Sequence, residues 1–101
     1  MRVRVLVTEN CPHRATTIRL VCDVMQELGI ESSIEEIAIQ DVEQARRLHF
    51  LGSPTILIDG RDIEPARRTD INFEMQCRLY GRSGTPSREM VVAAFNEARS
   101  K

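Results

Sequence analysis

The sequence predicts an α/β domain with the element order β-α-β-α-β-β-α, a four-stranded mixed sheet and helices on both faces. Three observations carry this. Val3, Val5 and Val7 alternate with Arg2, Arg4 and Leu6, the period of a strand, over residues 2–8. Ile18, Val21, Cys22, Met25 and Leu28 then recur at spacings of three and four, one apolar stripe of a helix. Asp59-Gly60 is the strongest short signal for a hairpin turn, because a tight turn between twisted strands needs positive φ at both positions.

The remaining elements fall into place around these. Asn10 ends the first strand, and Pro12 suits the first position of a helix, where its missing N–H costs nothing. Gly29 is the natural C-cap of that helix. Ser32 to Ile39, with Ile34, Ile37 and Ile39 in imperfect alternation, predicts a second strand. Asp41 with Gln44 three residues on is a capping-box pattern, opening a helix to about Phe50 that ends at Gly52. Thr55 to Ile58 and Arg61 to Glu64 form the hairpin strands. Residues 65–86, with Pro65, Gly81, Gly84 and Pro86 among charges, read as a loop with a short helix around Asp70 to Gln76. Ser87 caps a last helix that turns Val91, Val92, Phe95 and Ala98 inward. Strands separated by helices imply parallel pairing, and the hairpin adds an antiparallel member.

A chain of 101 residues is one domain, 1–101, with residues 65–86 as an extra segment before the last helix. A hydrophobic content of 42% beside 29% charged residues is that of a soluble globular protein. The net charge of −1 gives bulk electrostatics no hold on nucleic acid or membrane, and neither is expected as a partner. The start is too short and too alternating for a signal peptide. No apolar stretch approaches the ~20 residues of a membrane span. Three cysteines, an odd number without an export signal, point to a reducing cytoplasm.

The chemistry centres on Cys11-Pro12-His13-Arg14 at the first strand-to-helix junction. A thiol near a helix N-cap faces free backbone N–H groups and the positive end of the dipole, which favour thiolate over thiol. Arg14 adds a fixed positive charge one turn away. The plain alternative is a small half-buried cysteine in a loop. Cys22 falls in the apolar stripe and reads as a core cysteine. In one helix it stands about 16 Å along the axis from Cys11. A disulfide needs Cα atoms within roughly 7 Å, so the two cannot pair.

This order, with Cys11-Pro12-His13 at the first junction and Ser53-Pro54-Thr55 before the third strand, resembles the thioredoxin-like superfamily in its minimal, glutaredoxin-like form. The resemblance covers the chain apart from residues 65–86. It implies a cis proline at Pro54, lying against the active cysteine. It makes Ser53, Pro54 and Thr55 the substrate-binding stretch, with the Ser53 backbone pairing with a bound thiol substrate. Redox members carry a second cysteine where this chain has Arg14, so a disulfide across positions 11 and 14 is impossible and the site is monothiol. Gly52-Ser53-Pro54-Thr55 and the later Cys77-Arg78-Leu79-Tyr80 are also similar to small proteins labelled alkylmercury-lyase-like.

Cys77 lies in the one segment that the minimal fold does not require. It reads either as a resolving thiol that attacks a mixed disulfide on Cys11, or as a small buried residue tethering the loop beside Leu79. Pro12 and His13 tune the site, and His13 either helps a leaving thiol depart or is exposed. His49 is a solvated or C-capping histidine. Arg67, Arg68, Arg78 and Arg82 crowd the extra segment. They are a solvated loop, with Asp70 and Glu74 as partners, or a clamp for a glutathione-like carboxylate or an oxyanion. Cys11, His13 and Cys77 suit a soft metal, but no close-spaced ligand pair supports one, and no metal is expected.

The leading functional expectation is a thiol-disulfide oxidoreductase acting through Cys11. It uses no cofactor beyond glutathione or another small thiol as co-substrate. Its partners are disulfide-containing proteins or low-molecular-weight thiols, and the chain is a monomer or weak dimer. The rival is a non-catalytic binding module that keeps the same frame. Soft-metal or organomercurial thiol chemistry is a third, weaker reading.

Overall fold

The computed structural model describes residues 1–73, 75–81 and 83–100. The places expected for Glu74 and Arg82 lie outside those residues. The element order is β1 (Val3–Thr8), α1 (Arg14–Leu28), β2 (Ile34–Ile39), α2 (Val42–Leu48), β3 (Thr55–Ile58), β4 (Arg61–Asp62), a single 3-10 turn (Pro65–Arg67) and α3 (Arg88–Arg99). The four strands make one mixed sheet in the order β2-β1-β3-β4.

β1 pairs parallel with β2 from Val3↔Ile34 to Thr8↔Ile39, as a strand–helix–strand unit requires. β3 departs from the expectation of parallel pairing across helices. It runs antiparallel to β1, with Val3 facing Ile58 and Leu6 facing Thr55. The reason is the connection. α2 has seven residues and is about 10 Å long at 1.5 Å per residue. The chain leaves β2 and enters β3 at the same end of the sheet. It moves sideways across one face instead of returning along it.

Alternation along the strands divides the interior in two. Val3, Val5 and Val7 with Ile56 and Ile58 face α1 and α3, where they meet Val21, Val24, Met25, Val91 and Phe95. Leu6 and Leu57 point the other way and pack with Ile39, Ala45 and Phe50 around α2. Helices therefore cover both faces.

The caps follow the side chains. Asp41 accepts the Gln44 N–H at 2.8 Å, and the Gln44 amide oxygen reaches back to the Gln40 N–H, one residue earlier than in a standard capping box. Ser87 accepts the Met90 N–H at 3.1 Å. Asp59 and Gly60, at φ of 51° and 80°, make the tight turn.

Four expectations need correction. α2 ends at Leu48, because His49 takes the left-handed C-cap conformation at φ 60° and the Phe50 N–H closes back on Ala45. β4 stops at Asp62, whose carboxylate turns to the Glu64 N–H and to Arg78. Among the described residues of 70–76 there is no helix; Asp70 instead bonds the Asn72 N–H in a local turn. Cys22 is exposed, and the α1 residues that fill the core are Thr17, Val21, Val24 and Met25. The buried stripe is centred one position off the apolar run in the sequence. Cys22 is left on the wall of a groove of about 540 Å³ between α1 and β2, with Ile18, Met25, Ile30 and Ile34.

Candidate thiol site

Cys11 lies between two consecutive turns. Its N–H bonds the Thr8 carbonyl at 3.2 Å, closing a turn in which Asn10 takes φ 63°, a conformation that asparagine tolerates. Its own carbonyl accepts the Arg14 N–H at 3.3 Å, closing a second turn over residues 11–14. Pro12 occupies the second place of that turn, where its fixed φ is preset. The helix therefore does not open at Pro12. It begins at Arg14 with His13 as N-cap, and Cys11 stands two residues ahead of the cap, half-buried beside the α1–α3 core.

The N-terminus of α1 differs from the other two. No side chain caps it and its first turn holds no acid. α2 and α3 have Asp41 and Ser87 as caps and Glu43 and Glu89 in the first turn. The free N–H groups and the dipole of α1 are thus uncompensated by side chains at the end nearest Cys11. Arg14 does not add to this as expected. Its guanidinium forks onto the Glu36 carboxylate of β2, with Nη2 2.9 Å from Oε2, and that contact raises its already high pKa. The charge meant for Cys11 is matched by an acid on the sheet edge.

His13 is half-buried, with its imidazole against Gly84. A side chain at position 84 would overlap the ring, and Gly84 also holds φ 79°.

Ser53 joins the Cys11 turn to the rest of the site. Its hydroxyl accepts the Thr8 N–H at 3.0 Å. The Ser53–Pro54 bond is cis. The Ser53 backbone, which the resemblance assigns to a substrate, is occupied by the chain itself. Its N–H donates to the Gln76 carbonyl and its carbonyl accepts the Arg78 N–H, both at 2.8 Å, an isolated parallel bridge opposite Cys77. The Pro54 carbonyl accepts the Tyr80 hydroxyl at 2.7 Å. Thr55 is fully buried; its hydroxyl donates to the Gly52 carbonyl at 2.6 Å and faces Arg78 at 3.3 Å.

The segment that reaches Ser53 alternates like a strand. Cys77 and Leu79 face outward and are exposed, whereas Arg78 and Tyr80 turn in. Cys77 is thus not a buried tether. Arg78 is 3% exposed and grips both oxygens of fully buried Asp62 at 2.7 and 2.8 Å, with Glu64 at 2.7 Å. Its guanidinium also lies 4.5 Å from the centre of the Tyr80 ring. Burial works against the Arg78 charge, but the bond to Asp62, the facing Tyr80 and Glu64 together hold its pKa above the ordinary value. Burial pushes the Tyr80 phenol up as well.

The anion clamp does not assemble among the described arginines. Arg67 pairs with Asp70 at 3.2 Å, Arg68 forks onto Glu97 at 2.7 and 2.9 Å, and Arg78 is committed to Asp62. Each cation already faces a carboxylate. His49 caps α2 and packs edge-on against Phe73 at 5.0 Å. No three His, Cys, Asp or Glu side chains are grouped to hold a metal ion among the described residues.

Sequence reasoning missed the roles of Thr8, Asp62, Tyr80 and Gly84. Of the partners expected for the crowded arginines, Asp70 does pair with Arg67, whereas Arg78 takes Asp62 and Glu64. The signal available was the alternation Cys77-Arg78-Leu79-Tyr80 together with Asp62 and Glu64 on the hairpin. No protein-family model, curated protein or solved structure matches this chain.

Proposed function

We propose that this chain is a thioredoxin-like, glutaredoxin-like monothiol protein of a reducing cytoplasm that carries out thiol–disulfide exchange through Cys11. The observation that carries the reading is the open N-terminus of α1, without a side-chain cap or an acid, two residues beyond the cysteine. Helix N-termini in general attract negative charge, and thiol chemistry is commonly sited there. The hydrogen bonds from Cys11 to Thr8 and from Thr8 to Ser53 hold the turn that presents it.

In the proposed step the Cys11 thiolate attacks one sulfur of a disulfide. A Cys11–sulfur bond forms, the original S–S bond breaks, and the other half leaves as a thiolate that takes a proton from water. A low-molecular-weight thiol such as glutathione then attacks the outer sulfur of the mixed disulfide, and Cys11 leaves as the thiolate. If Cys77 attacks instead, at the Cys11 sulfur, the bound half leaves as a thiol and the Cys11–Cys77 disulfide that forms is reduced by a further external thiol. Pro12 fixes the turn, and His13 is the N-cap of α1.

The test is the formation and thiolysis of a mixed disulfide at Cys11 with cystine, followed by mass spectrometry. Wild type is expected to form the adduct and release it on addition of glutathione. Cys11→Ser is expected to fold and lose that turnover; turnover that persists in Cys11→Ser would overturn the reading.

A second reading, a binding module without turnover, is favoured by two observations. The Ser53 backbone is already paired within the chain, and Glu36 holds the Arg14 charge. It predicts no adduct at Cys11 under the same conditions.

A further inference from the structure

We infer that residues 76–81, with Gly84, form a fixed strap that restricts Cys11 to low-molecular-weight disulfides and excludes polypeptide disulfides. This rests on the exchange reading above. An extended polypeptide gains its hold beside a reactive group largely by main-chain pairing with an exposed backbone edge. The edge that belongs to the Cys11 turn is Ser53, whose hydroxyl binds Thr8 while Thr8 binds the Cys11 N–H. Both outward backbone groups of Ser53 are taken, by the Gln76 carbonyl and the Arg78 N–H. No donor or acceptor remains there for an incoming strand.

The strap is anchored well beyond those two bonds. Arg78 is locked in its forked pair with buried Asp62, and Tyr80 reaches over to the Pro54 carbonyl. Gly52 lies so close beneath that a Cβ there would stand 3.1 Å from the Arg78 Cβ and 3.2 Å from the Gln76 carbonyl oxygen. Gly84 rests on the His13 ring. Lifting the strap would unpair a buried arginine and aspartate, which costs more than a visiting strand regains from two backbone hydrogen bonds. A small disulfide needs no edge. It has only to bring one sulfur to the half-buried Cys11 thiolate; the Cys11–sulfur bond forms, the S–S bond breaks, and the small thiolate leaves.

The experiment compares adduct formation at Cys11, mapped by mass spectrometry, with two probes. One is cystine; the other is the symmetric disulfide of an unstructured peptide with a central cysteine. Both rates are normalised to those of a free cysteine peptide, which removes the intrinsic difference between probes. The folded wild type is expected to disfavour the peptide disulfide by about tenfold or more after normalisation. The double variant Asp62→Ala/Arg78→Ala, which removes both buried charges together, is expected to lose most of that discrimination. In parallel, native-state hydrogen exchange is expected to show the Ser53 and Arg78 amides strongly protected in the wild type, whether or not the variant folds. Equal normalised rates for the two probes, or rapid exchange at both amides, overturn the strap while leaving the exchange chemistry standing. Reaction with neither probe overturns the exchange reading itself.

Discussion

The Arg78 guanidinium and the Asp62 carboxylate meet as a forked pair, with both side chains almost completely out of solvent. The pair fastens a long connecting segment to the last, two-residue strand of the sheet. Removing one member leaves the other buried and alone. Arg78→Ala is expected to lower unfolding stability by about 3–5 kcal/mol. The double variant Asp62→Ala/Arg78→Ala is expected to lose less than Arg78→Ala alone. Urea unfolding of the two proteins checks the order; a double variant weaker than Arg78→Ala would show that the charges are worth more than their burial costs.

Tyr80 is the sole tyrosine, so phenolate absorbance reads one residue. Its folded pKa lies above the unfolded value of 10.0 because burial resists the charged form. A raised value means that this contribution to stability is complete below pH 10 and is lost as pH rises beyond it. Phenolate is expected to appear only well above pH 10, and together with loss of far-ultraviolet ellipticity. Titration near 10 in the folded chain would contradict the buried placement. Tyr80→Phe, which removes the bond to the Pro54 carbonyl, is expected to cost about 1 kcal/mol.

Glu97 shows the opposite sign. Its hydrogen bond from Arg68 holds its pKa below the ordinary 4.5. The pair's contribution is therefore present above pH 4.5 and fades as pH falls through the depressed folded value. Any stability difference between wild type and Glu97→Gln is expected at neutral pH and should vanish in stronger acid. Because the pair is partly solvated, added salt should shrink the difference too.

Gly84→Ala meets two obstacles, the positive φ and the His13 ring. The backbone conformation alone costs roughly 1 kcal/mol or more for a residue with a Cβ. The ring must also move. The variant is expected to be less stable, with a shifted His13 imidazole resonance; an unmoved resonance would show that the contact is not held in solution.

Cys22 is expected to react with a maleimide in the native protein almost as fast as in the unfolded chain, because it is exposed. Cys22→Ser should change stability by no more than about 0.5 kcal/mol. Protection of Cys22 until unfolding would restore it to the core.

What sequence made legible and what it did not divide along a physical line. β1, β3, the Asp59-Gly60 turn and the caps at Gly29, Asp41 and Ser87 were readable because each depends on residues adjacent in the chain. The direction of β3 was not, since it depends on where the connection through α2 re-enters the sheet. Cys22 was misjudged because an apolar stripe locates a helix face only to within about one residue, and that residue decides exposure. At the site, the junction at Cys11 was plain from Val7 to Pro12. The pairing of Arg14 with Glu36, Arg78 with Asp62 and Ser53 with Gln76 was not, because each joins positions 16 to 23 residues apart. Opposite charges far apart in sequence offer many pairings, and only the assembled sheet chooses among them.

The outer strands of the sheet carry a consequence for how molecules of this chain meet. β4 is two residues long, too short to template another strand. β2, at the opposite margin, carries Glu35 and Glu36 near its start, on opposite faces of the strand, each held by an arginine of the same chain. A neighbouring copy that tried to extend the sheet there would set its own side chains against an ion pair on each face. The two margins of the described sheet are thus guarded in different ways, β4 by brevity and β2 by charge, while residues 76–78 occupy the Ser53 backbone beside it.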